Sequence, residues 1–174
     1  TLLEERYFGY GANSSPEPDF AEAGVELKTT CLDRKKDGSL VPGERLVITM
    51  TPMDGPIELD LFTSHLWDKA NLILLVFYER NRCKESYDQE IRHVALFTPP
   101  EEDIRIIRDD YEKLASYVRA GRAHELSEGM TSYLGACTKG AREKDMWVDQ
   151  FYPPHVPAKR RAFCFKKSYM TYIF

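Results

Sequence analysis

The chain has 174 residues, 43% of them hydrophobic and 30% charged, with a formal net charge of −4. That length supports one full hydrophobic core and is short for two domains, and the composition is that of a globular soluble protein. The longest apolar stretch, NLILLVFY at 71–78, falls far short of the ~18 residues a membrane helix needs. Four separated cysteines (Cys31, Cys83, Cys137, Cys164) and four dispersed histidines form no zinc-type spacing and fit a reducing cytoplasm.

In chain order, LLEERYF (2–8) is helical in composition and carries no signal-peptide stretch, and because the chain opens mid-helix by pattern a trimmed N-terminus is expected. GYGANSSPEP (9–18) reads as a loop. GVELKTT (24–30) and RLVITMT (45–51) read as strands either side of the turn-rich DRKKDGSLVPGE, and the pattern predicts that they pair antiparallel. NLILLVFY (71–78), apolar throughout, predicts a central strand covered on both faces, and RHVALF (92–97) a further strand. The clearest helix is 99–120, where Ile104, Ile107, Tyr111, Leu114 and Val118 make one apolar stripe. Thr98 with Glu101 predicts its capping box and Gly121 its end. The remainder reads as loops (SEGMTSYLGACTKG, FYPPHVP) and a final segment, 160–174, with alternating aromatics. The sum is one mixed α/β domain over 1–174.

Two features carry chemistry. Glu26 and Lys28 lie a strand step apart and share a face, and Asp19 has enough chain to fold back beside Glu26. Two carboxylates with one backbone carbonyl, Leu27 being the candidate, make an all-oxygen site suited to Mg²⁺, while Lys28 can hold an attacking water or offset phosphorane charge. The similar Asp33-Arg34-Lys35 is set aside because it lies in a turn-rich stretch. The second feature is charge asymmetry. Between Lys139 and Lys167 stand eight basic residues and three acidic ones, net +5 in a chain of net −4. That segment suits a polyanion.

PEPDFAEAGVELKTT resembles the signature of the MutH-type mismatch-repair endonucleases and the related GATC-specific type II restriction endonucleases. LLEE upstream, TSHLWDK (63–69), HELSEGMTSYLGACTKGA (124–141) and RAFCFKKSYMTYI (161–173) follow in the family's order, and the block at 124–141 is nearest the restriction branch. The resemblance implies a restriction-endonuclease-like α/β core with a mixed sheet, flanking helices and a DNA cleft. It implies Asp19 and Glu26 as metal carboxylates, Lys28 as catalytic lysine, Glu4 as a supporting helix carboxylate with Glu5 as fallback, and Lys69 as a second lysine near the scissile phosphate. It further implies Mg²⁺ as cofactor and double-stranded DNA containing GATC as substrate. Thr138 and Lys139 would then read bases, with Cys137 where the mismatch-repair branch carries an arginine. Lys159, Arg160, Arg161, Lys166 and Lys167 are expected to position phosphates. A longer full-length chain with a second MutH-like domain is also implied. His65, His93, Trp67 and Trp147 are expected to be structural, and Glu22 to point away from the metal.

Overall fold

The fold is a computed structural model that describes residues 2–9, 11, 17–140 and 143–174. Residues 10 and 12–16 of the expected 9–18 loop, and Arg142 of the basic segment, lie outside the described residues.

A four-stranded mixed sheet runs in the order β2-β1-β4-β5. β1 (Glu26–Arg34) and β4 (Ile73–Glu79) are parallel neighbours in the middle, from Glu26 opposite Ile73 to Leu32 opposite Glu79. β2 (Leu40–Pro42) and β5 (Glu90–Phe97) flank them antiparallel. Ile73, Leu75 and Phe77 of β4 turn into the core, whereas Leu74 and Tyr78 on its other face are only half-buried. The expected central strand is therefore central but covered fully on one face. On the edge strand β5, Ile91, Val94 and Leu96 are exposed.

The predicted pairing of the 24–30 and 45–51 strands does not form. β1 continues to Arg34 and turns at once into β2, because Asp37 accepts the Ser39 N–H and Gly38 takes a left-handed φ of +87°. β3 (Leu46–Met50) pairs instead with β9 (Arg161–Phe165), which also pairs with β6 (Leu134–Thr138). This antiparallel sheet, β3-β9-β6, contains a strand that the sequence reading assigned to loop. Asp33, dismissed as a turn residue, lies within β1 and is engaged by Arg80 at 2.6 and 2.9 Å. Trp147–Asp149 (β7) and Pro157–Lys159 (β8) form a separate ribbon.

α3 (Glu101–Arg119) joins the sheets. Ile107, Tyr111, Leu114 and Val118 are each at most 1% exposed, so the apolar stripe is the buried face. The capping box does not form: the helix begins after Pro100, whose carbonyl accepts the Ile104 N–H. A residue before a proline avoids the helical region, so Pro99 cannot start the turn that Thr98 would have capped. At the other end Gly121 N–H reaches the Val118 carbonyl and Arg122 N–H that of Tyr117, a Schellman closure around a glycine at φ +67°. The Asp110 carboxylate of α3 accepts the N–H groups of Ser132, Tyr133 and Leu134 at 2.6–3.1 Å and thereby fixes where β6 starts. α1 (Leu2–Arg6), α2 (His65–Ala70), α4 (Glu143–Met146) and α5 (Lys167–Ile173) complete the element order. Among the described residues no helix is long and apolar enough to cross a membrane.

Candidate active site

β1 begins at the site. Glu26 is 1% exposed, and its Oε1 lies 2.6 Å from Lys28 Nζ, as a two-residue step along one strand face allows. The loop before β1 brings Asp19 back through a short 3-10 turn, Ala21–Ala23, ended by Gly24 at φ +65°. Phe20 and Val25 close that excursion with a two-way backbone bridge. Asp19 Oδ2 then accepts the Leu27 N–H at 2.9 Å, and the Asp19 N–H reaches Glu26 Oε2 at 3.3 Å. The two carboxylates are thus locked together by backbone donors.

Lys69 arrives from α2, whose first turn is capped by Ser64 accepting the Trp67 N–H. It is 9% exposed, and its Nζ stands 3.3 Å from Glu26 Oε2 and 3.4 Å from Oε1. A buried carboxylate therefore carries two ammonium groups. α1 is held over this region by aromatic contact: Phe8 meets Phe20 edge-on with centroids 5.0 Å apart. Glu4 of α1 lines the same cleft as Lys28. Glu5 and Glu22 are exposed. Among the described residues no group of three or more His, Cys, Asp and Glu side chains forms a metal-binding cluster. The protein's own donors are the Asp19 and Glu26 carboxylates, hard oxygens without imidazole or thiolate, and this donor chemistry fits a hard divalent cation that keeps several waters.

The cleft, about 630 Å³, runs between the two sheets. One wall carries Glu4, Leu27 and Lys28, and the other carries Arg45, Cys137, Thr138 and Lys139. The sequence blocks 124–141 and 17–30, far apart in the chain, thus face one cavity. Arg45, the residue before β3, was missed by the sequence reading. Nothing in the local pattern reveals it, because β3 comes beside β6 only through their shared partner β9. Its guanidinium pairs with Glu128 and hydrogen-bonds Cys137. Cys137 is held down to about 6, chiefly by its interaction with the neighbouring Cys164 thiol and, against its burial, by Lys139 and Arg45. The Cys164 thiol is pushed up by the same interaction and by burial.

The five expected phosphate contacts divide. Lys159 and Lys167 are exposed, Lys159 with its Nζ 5.6 Å from the Trp147 ring centroid, while Arg160 approaches Asp54 at 3.5 Å. Arg161 and Lys166 are spent internally, contrary to expectation. Arg161 donates to the carbonyls of Ala136 at 2.8 Å and Leu126 at 2.5 Å, and burial lowers its pKa. Lys166 donates to those of Glu128 at 2.7 Å and Thr131 at 2.6 Å. His93 packs on Phe77 and Phe174, and the exposed His65 lies 3.5 Å from Asp68.

The family model for the DNA mismatch repair enzyme MutH matches residues 8–110. The type II restriction enzyme Sau3AI of Staphylococcus aureus is 39% identical over 171 residues, covering 97% of this chain and 35% of the relative. A DNA mismatch repair protein MutH of Shigella boydii is 31% identical, and one of Escherichia coli 30% identical, each covering 82% of this chain and 61% of the relative. The chain thus spans about a third of the restriction enzyme and about three fifths of the MutH proteins. The α/β core with its mixed sheet is the restriction-endonuclease-like fold expected of such relatives. From the matched residues 8–110 and the shared identity beyond them, the chain belongs to the MutH family.

Proposed function

We propose that residues 1–174 are the catalytic domain of a longer type II restriction endonuclease, cleaving double-stranded DNA at GATC by Mg²⁺-dependent phosphodiester hydrolysis. The observation that carries this reading is Glu26, buried between Lys28 and Lys69 and tied to Asp19, directly behind a cleft that Lys28 lines on one wall and Thr138 and Lys139 line on the other. Asp19, Glu26 and the Leu27 carbonyl would hold Mg²⁺, which when bound would supply Lewis-acid charge to the phosphate. Lys28 orients the attacking water and stabilises the hydroxide left as its proton passes to solvent. Lys69 offsets negative charge as the phosphorane forms, and Glu4 supports the metal carboxylates from α1. Thr138 and Lys139 meet base edges, Lys139 having the donors that guanine O6 and N7 require. The products would be 5′-phosphate and 3′-hydroxyl ends.

The match to MutH proteins favours one second reading, a strand nickase serving mismatch repair. A third class, a non-catalytic GATC-binding copy, is disfavoured by the retention of Asp19, Glu26, Lys28 and Lys69. The test is cleavage of supercoiled plasmid and of short duplexes with and without GATC, in Mg²⁺, by this chain and its Lys28→Ala variant. Linear plasmid and GATC-dependent cutting lost on substitution support restriction, and nicked circles alone support the nickase. GATC binding without any cutting would sink the catalytic reading.

A further inference from the structure

We propose that Cys137 is a covalent-modification site in the cleft wall: its sulfur is the nucleophile toward a small peroxide, and Cys164 completes a cross-strand disulfide that obstructs DNA. The argument starts from register. Cys137 of β6 lies opposite Ala162, and Cys164 of β9 opposite Gly135, so both side chains leave the same face of paired strands. Gly135, lacking a side chain, leaves Cys164 free to lean toward Cys137. The two thiols form a small cluster of their own with Ala162 and the half-buried Val47, and Cys164 donates its S–H to the Gly135 carbonyl at 3.6 Å.

A thiol reacts as its thiolate, which cationic neighbours favour. The Arg45 guanidinium bonds Cys137, and Lys139 stands two residues on. With Cys164 beside it and Lys139 and Arg45 nearby, Cys137 sits near 6, where it is largely ionised at neutral pH yet still nucleophilic. Cys164, shifted upward, keeps its proton until it is needed. Access is narrow. Cys137 is only 4% exposed, but it lines the 630 Å³ cleft, while Cys164 lines a second cavity of about 240 Å³, and Arg45 borders both. Narrow access selects a small oxidant such as hydrogen peroxide. The other cysteines differ: Cys31 is buried with its thiol pushed up by burial, and Cys83 is exposed outside the cleft.

The chemistry balances in two steps. Cys137 thiolate attacks one peroxide oxygen, an S–O bond forms, the O–O bond breaks, and the departing hydroxide takes a proton to become water. Cys164 sulfur then attacks the sulfenic sulfur, S–S forms, S–O breaks, and the leaving hydroxyl departs as water with the Cys164 proton. The bond draws β6 toward β9 beside Thr138 and removes the thiolate that Arg45 holds. The consequence for DNA rests on the function proposed above, whereas the thiol chemistry does not.

The experiment treats the reduced protein with hydrogen peroxide at pH 7, labels residual thiols and locates them by peptide mass spectrometry. We expect Cys137 and Cys164 to lose reactivity together, at least tenfold faster than Cys83, with a mass loss of two hydrogen atoms that reductant reverses. In Cys164→Ser a dimedone-reactive sulfenic acid should stay on Cys137. A prior GATC duplex should protect Cys137 but not Cys83, and the oxidised protein should bind that duplex at least tenfold more weakly. Oxidation of Cys83 before Cys137, or a Cys137 untouched by peroxide, overturns the site. Oxidation of the pair with DNA binding unchanged overturns its hold on the cleft. Failure of the reduced protein to bind the duplex overturns the functional reading instead, and the mass data then still judge the thiols.

Discussion

Glu26 is a carboxylate that the chain buries and then neutralises twice, so its partners serve both folding and chemistry. Lys69 is the more buried of the two cations, and its removal leaves Glu26 with Lys28 and the Asp19 amide alone. Lys69→Ala should therefore lower unfolding stability by about 1–3 kcal/mol, the cost of stripping a partner from a buried polar group. In urea denaturation that loss should appear alongside a fall in cleavage of roughly 10²-fold or more, the scale of one lost electrostatic contact at a transition state. Unchanged cleavage with reduced stability would make Lys69 a folding residue only. A second carboxylate sets an acid limit. Glu79 accepts from Arg34 at 2.7 and 2.8 Å and from Arg92 at 2.8 Å, and these guanidiniums, Arg34 first, hold it at about 2 instead of 4.5. A carboxyl whose folded pKa is depressed adds stability above its unfolded value and loses it as the pH falls through the folded one. The thermal midpoint should thus be insensitive to Glu79 above pH 5 and fall between 4.5 and 2, and Glu79→Gln should flatten that fall. A variant with the same acid profile would remove the ion pairs from the account.

At the scale of elements, the end of α3 is the sharpest constraint. Gly121 holds φ +67°, and a Cβ there would stand 2.1 Å from the Pro153 carbonyl oxygen, a backbone atom with little freedom to retreat. Gly121→Ala should cost about 1–2 kcal/mol from the left-handed backbone alone, and more from the clash. A loss within the mutational scatter of an exposed site, about 0.5 kcal/mol, would show that the 153–154 loop yields freely. This helix was legible in the sequence because its signals are local: a stripe every three or four residues and a glycine where the stripe stops. Its first turn was misjudged by two residues because Pro100 both removes a donor and restrains Pro99. Strand partnership was less legible for a different reason. A strand's sequence records which face is buried, not which neighbour supplies the hydrogen bonds, so adjacency in the chain suggested β1 with β3. The chain satisfies β1 locally with β2 and leaves β3 to β9, more than a hundred residues on.

Across the whole molecule the same limit applies to charge. Asp19, Glu26 and Lys28 could be read from the sequence because a strand step and one returning loop bring them together. Arg45 could not, since only the sheet β3-β9-β6 sets it opposite Lys28. The basic segment was counted correctly but not aimed, because a sum of charges does not say which side chains turn inward. Lys159 and Lys167 face solvent, while Lys166 and Arg161 cap carbonyls within β6 and in the chain that leads into it. A phosphate-facing cation reveals itself in salt dependence, since each neutralised phosphate contributes about 0.9 to the slope of log affinity against log salt. Lys159→Ala and Lys167→Ala should each reduce that slope for a GATC duplex by about 1 and leave unfolding unchanged. Lys166→Ala and Arg161→Ala should do the reverse, keeping the slope while costing about 1–3 kcal/mol each, because carbonyls at Glu128, Thr131, Leu126 and Ala136 lose their donors. Binding isotherms at several salt concentrations without divalent cation, set beside urea denaturation of the same four variants, separate the classes. Equal slope changes in all four would mean that Arg161 and Lys166 leave their carbonyls for the phosphates when DNA enters the cleft, and the rim would then be wider than the free protein presents.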